Sequence, residues 1–157
     1  MCSYRVVAMP QEIAAAVRST RVSPFAGHPT FVETARGYGP CRLCLEKFAV
    51  GVDQRILFTY DPFAGLERYP LPGPVFIHEA ECEPFPARGS FPPSMIRHRL
   101  TLLGYGADAT VRVQVRVENG DPEPVVEEML ARTDVDYIHV RDTDAGCYDF
   151  RIERAAN

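Results

Sequence analysis

The sequence contains no tryptophan and almost no lysine: Lys47 is the single Lys among 17 basic residues, and the other sixteen are Arg. Acidic residues number 21, and a net charge of -4 gives no broad positive field of the kind that holds nucleic acid or an anionic membrane. Neither is an expected partner. No apolar run approaches the roughly 20 residues that cross a bilayer. The stretch Met1–Arg21 has no apolar core behind a basic start, so no leader peptide is expected and the cytoplasm is the expected compartment. Glycine-rich phosphate loops and dinucleotide fingerprints are missing too.

Cysteine is present, but not as a disulfide framework. Cys2, Cys41, Cys44, Cys82 and Cys147 are odd in number and irregular in spacing, which predicts free thiols. With 157 residues, 46% hydrophobic and 24% charged, the chain suits one globular domain spanning 1–157.

Periodicity predicts a strand at Tyr4–Met9 and a short helix after Pro10, with Ile13, Ala14 and Val17 on its apolar face. Strands follow at Arg55–Tyr60, Val75–His78 and Leu100–Tyr105. Val111, Val113, Val115 and Val117 alternate with Arg112, Gln114 and Arg116, a half-buried strand. Asp121 and Pro122 open a second helix carrying Val125, Val126, Met129 and Leu130. Tyr137–Arg141 and Tyr148–Glu153 close the chain as a hairpin, and Ser94–Arg99 forms a helical turn. Glu83–Pro93, rich in Pro and Gly, is a long loop and a candidate lid. The fold class is α+β: a mainly antiparallel sheet with two or three short helices.

Two stretches concentrate chemistry. Gly39-Pro40-Cys41-Arg42-Leu43-Cys44-Leu45 places two thiols and a guanidinium in seven residues. In the closing hairpin, pairing Arg141 with Cys147 would set His139 against Asp149 and Tyr137 against Arg151. Tyr148, Phe150 and Ile152 would then be buried on the opposite face. A carboxylate beside His139 would orient the imidazole and favour its protonated form. The leading expectation is a polar sheet face, covered by Cys41–Leu45 and the long loop, that binds a small polar or anionic ligand through Cys41, Arg42, His78, His139, Cys147 and Asp149. Arg42, Arg141 and Arg151 are candidate anion clamps.

Two alternatives stand beside it. One is a Cys/His enzyme, with Cys41 or Cys147 activated by His139, or a zinc protein. Cys41-x-x-Cys44 is half of a zinc knuckle, and His78-x-x-x-Cys82 supplies the complementary pair; His139 and Cys147 are a second set that could join Cys41. No metal is assigned, because an extended strand through Leu43 and Leu45 would turn Cys41 and Cys44 to opposite faces. A thioredoxin-like pair is set aside because Leu45–Gly51 is too short for the helix it needs. The other alternative is an interaction module and homodimer, with an apolar patch at Phe85, Phe91 and Met95. No cofactor or reaction is specified by these residues.

Gly39-Pro40-Cys41-Arg42-x-Cys44-Leu45, Gly73-Pro74-Val75-Phe76-Ile77-His78, Tyr137-Ile138-His139, Gly146-Cys147 and Ile152-x-Arg154 together resemble an uncharacterised bacterial family, domain of unknown function 1203, from Tyr4 to Arg154. The resemblance implies a small single-domain bacterial protein and brings no activity, cofactor or partner. The chain departs from it at Gly104-Tyr105-Gly106, where an Arg or another side chain is expected before the tyrosine.

Overall fold

The computed structural model describes residues 3–37, 39–66 and 70–156. In chain order these form β1 (Tyr4–Val7), α1 (Gln11–Thr20), β2 (Phe31–Thr34), β3 (Gln54–Tyr60), β4 (Gly73–His78), a 3-10 turn (Pro93–Met95), β5 (Leu100–Tyr105), β6 (Val111–Val117), α2 (Glu123–Ala131), β7 (Tyr137–Asp142) and β8 (Tyr148–Arg154). Every strand pairing is antiparallel. The α+β class read from the sequence is the one observed. The contacts group into two compact units, Ala8–Phe85 and Met1–Val7 with Pro86–Asn157.

The second of these units carries a five-stranded sheet in the order β1-β8-β7-β5-β6. Asp121 accepts the Glu123 N–H (3.0 Å) at the start of α2, satisfying a donor the helix cannot pair internally. Val126, Met129 and Leu130 are the helix's buried stripe. The valines of β6 are covered less than their alternation implies: Val111 is exposed and only Val117 is buried, because β6 is an edge strand. Gly104, the residue that departs from the expected pattern, has a packing reason. A Cβ there would lie 2.9 Å from Val113 Cγ1, 3.1 Å from Val135 Cγ2 and 3.2 Å from Met129 Cε. Gly104→Ala is therefore expected to cost about 1–3 kcal/mol by overpacking, read as a lower urea midpoint. An unchanged midpoint would mean that the Val113, Val135 and Met129 side chains yield freely.

The closing hairpin differs from expectation in register. Arg141 pairs with Tyr148, Val140 with Phe150 and His139 with Arg151, with a bulge at Asp149. His139 and Asp149 are not cross-strand partners, and Tyr137 faces Glu153 rather than Arg151. The inserted residue changes the side-chain parity between its two ends. Tyr148 consequently joins the His139 face instead of sharing one with Phe150 and Ile152. There the imidazole sits 5.0 Å from the Tyr105 ring, 5.3 Å from Tyr137 and 5.0 Å from Tyr148.

The unit Ala8–Phe85 is built on the sheet β2-β3-β4 and on α1. Strand β2 was not anticipated; its residues are mostly exposed and carry no buried alternation to detect. Ala14 and Val17 are the buried residues of α1, and Arg21 closes the helix in the left-handed conformation. The candidate lid has no regular structure but is tied down: Phe85 N–H donates to Leu43 O (2.9 Å), and Val6 N–H donates to Arg88 O (3.0 Å). The expected apolar patch is not on the surface, since Phe85, Phe91 and Met95 are all buried. The exposed large apolar side chains are elsewhere, foremost Phe31 and Val52.

Candidate metal centre

Two sequence-distant pairs of donors meet in the unit Ala8–Phe85. The ligand atoms of Cys41, Cys44, His78 and Cys82 all lie within 4.8 Å of one another. The reason begins at residues 41–45, where the sequence leaves strand and turn both open and the structure forms a turn. Cys41 N–H donates to Glu46 O (2.9 Å), Leu45 N–H donates to Cys41 O (2.8 Å), and Pro40 bridges Lys47. Leu45 closes this loop at φ 58, a conformation that costs a non-glycine residue roughly 1–2 kcal/mol. Its fully buried side chain offsets that cost. The turn brings both sulfurs to one side, which a strand cannot do.

The second pair comes from β4 and the loop after it. His78 ends β4 opposite Arg55, with the Phe48 ring edge-on to its imidazole at 4.7 Å. Cys82 follows four residues on. Cys41 Sγ and Cys82 Sγ are 3.9 Å apart, and Cys44 Sγ is 3.5 Å from His78 Nδ1. A tetrahedral zinc ion with ordinary bond lengths spaces sulfurs about 3.8 Å apart and a sulfur and nitrogen about 3.5 Å apart.

The surroundings suit such an ion. His78 turns Nδ1 toward the thiols and donates Nε2–H to Asp53 Oδ2 (3.2 Å). That same oxygen accepts the Ala49 N–H (2.8 Å), which fixes the carboxylate. A carboxylate behind a ligating imidazole sets its tautomer and strengthens it as a donor. The His78 N–H donates to Cys41 Sγ and an Arg18 guanidinium N–H donates to Cys82 Sγ, each at 3.3 Å. Three thiolates and a divalent ion would carry one net negative charge, which the Arg18 guanidinium would oppose.

Protonation in the ion-free cluster follows the same contacts. Hydrogen bonds from Cys44, Cys82 and His78 hold Cys41 far below the usual thiol range. Cys44, donating to Cys41 and Cys82, is pushed up. His78 is raised to about 10 by its bonds to Cys41 and Cys82, with Asp53 adding to the effect. Asp53 is lowered by the Ala49 N–H and then by His78.

The six residues expected to share a ligand site fall in two units. Cys41, Arg42 and His78 are in Ala8–Phe85; His139, Cys147 and Asp149 are in the other. Cys41 and His78 belong to the donor quartet. Arg42 is buried, and its guanidinium donates to the Pro40 carbonyl, so it braces the turn. His139 and Asp149 are both fully buried and so do not form an open polar face. Cys41, Cys44, Cys82 and Cys147 are free thiols; Cys2 lies outside the described residues. Sequence reasoning missed Asp53 and Arg18. Neither has a local signature, because each meets the quartet only through the fold.

The chain matches the family described as "Protein of unknown function (DUF1203)" over residues 38–154. It belongs to that family. The family match begins later than the resemblance from Tyr4 implied, yet it contains all four donors and Asp53, whereas Arg18 lies before it. No curated protein and no solved structure matches the chain.

Replacing Asp53 by Asn keeps the size of the side chain while removing its charge. A second partner of this kind is worth about 10- to 100-fold in metal affinity. Asp53→Asn is expected to weaken zinc by that factor in a competition titration with a chromophoric chelator. Affinity equal to the wild type would show that the contact orients nothing.

Proposed function

We propose that this member of the DUF1203 family is a zinc-binding protein whose ion is held by Cys41, Cys44, His78 and Cys82. The observation that carries this reading is the convergence of four donors within 4.8 Å of one another from two separate stretches of the chain. The set is complete for a tetrahedral ion, with a carboxylate behind the imidazole and N–H donors on two sulfurs. Four protein ligands leave no open coordination position, which favours a structural over a catalytic role. The ion would join the 41–45 turn to the end of β4 and the loop carrying Cys82. In zinc centres of this type, binding energy is folding energy.

The test is metal analysis of protein purified without added chelator, followed by replacement with cobalt. One zinc per chain is expected, and cobalt should give the visible absorption of a tetrahedral thiolate site. Less than a tenth of an equivalent of zinc, with no cobalt spectrum after reconstitution, would end the proposal.

A further inference from the structure

Cys82 differs from the other thiols of the quartet. Cys41 and Cys44 are buried, whereas Cys82 is partly exposed. It also lines a cavity of about 700 Å³ whose wall includes Gln11, Arg18 and Ser19 of α1 together with Glu81 and Glu83. The quartet therefore has one cysteine that is partly open to solvent and borders this cavity. Arg18, also on that wall, sets an N–H 3.3 Å from the Cys82 sulfur. Behind it, 3.9 Å away, is the sulfur of Cys41.

Resting on the zinc reading, we infer that Cys82 is an oxidation site for small hydroperoxides, and that its reaction links it to Cys41 and releases the metal. The Cys82 sulfur attacks one oxygen of the hydroperoxide. An S–O bond forms, the O–O bond breaks, and hydroxide, or the alkoxide of an organic hydroperoxide, leaves with the electron pair. The Arg18 charge is placed to stabilise the negative charge growing on that oxygen. Cys41 then attacks the sulfenic sulfur of Cys82, forming S–S and expelling hydroxide. With hydrogen peroxide, two thiolates are oxidised to one disulfide and one peroxide is reduced to two hydroxides. The two sulfurs must approach by less than about 2 Å to reach bonding distance. Cys44 and His78 remain, and two ligands do not retain a zinc ion against a chelating indicator.

The experiment uses the zinc-loaded full chain and hydrogen peroxide as probe, with zinc release followed by a chromophoric chelator. Linkage is read from the intact mass, which falls by about 2 Da per disulfide, and from peptide mapping after alkylation. One zinc is expected to leave for each Cys41–Cys82 link, while Cys147 stays alkylatable, and dithiothreitol should restore zinc uptake. Zinc retained while thiols are oxidised, or a first link that omits Cys82, overturns the inference and leaves the zinc reading standing. A chain that never holds zinc overturns the zinc reading itself, and the release step with it.

Discussion

Cys44→Ser is expected to abolish stoichiometric zinc and to lower Tm by about 10 °C or more. The serine hydroxyl does not ionise near neutral pH and is a poor ligand for zinc, so three donors remain where four stood. An ion held at a free concentration a thousand times its Kd stabilises the folded state by about 4 kcal/mol. At the usual temperature dependence for a chain of this size, that is roughly 10 °C. Chelation of the wild type should reproduce the shift, since the same ion is lost without any substitution. Thermal melts with parallel metal analysis decide the matter. A Cys44→Ser protein that keeps one zinc and its Tm would remove Cys44 from the site. A wild type whose melt ignores the chelator would mean that the ion contributes nothing to folding.

Zinc affinity should also rise steeply with pH. Without the ion, His78 holds its proton up to about 10, and Cys44 is pushed above the usual thiol range. Both must lose a proton to ligate, whereas Cys41, held far below the usual range, has none to lose near neutrality. Uptake at neutral pH therefore releases at least two protons. Each proton released makes the apparent Kd about tenfold smaller per pH unit, so a fall of about 100-fold per unit is expected between pH 6.5 and 8. The sign is opposite for the ion-free fold. A raised His78 pKa contributes stability that is fully present below the unfolded value of about 6.5 and is lost as pH rises through about 10. The Tm gap between zinc-loaded and zinc-free protein should widen with pH. Competition titrations at several pH values, with a buffer-independent count of released protons, would expose a flat profile if these groups do not ligate.

The hairpin at the end of the chain separates what pattern can reveal from what it cannot. Alternation placed both strands within a residue or two, because a period of two reports which side chains are apolar. It could not reveal the bulge at Asp149, which adds one residue and changes parity across the insertion. The expected cross-strand pairing of His139 with Asp149 was lost there, and the His139 imidazole lies among three tyrosine rings.

The quartet divides in the same way. Cys41-x-x-Cys44 and His78-x-x-x-Cys82 are visible in the sequence as two pairs of soft donors. So are the α+β class and the second helix with its Asp121 start, which the structure repeats. Those features rest on local rules: periodicity, capping and composition. Whether the two pairs meet depends on the left-handed Leu45, whose strain a buried side chain offsets, and on β3 and β4 carrying His78 back to the turn. Asp53 and Arg18 complete the arrangement from elsewhere in the same unit. Backbone conformation at one residue and the pairing of distant strands are tertiary outcomes, and they brought two separate pairs into one cluster of four donors.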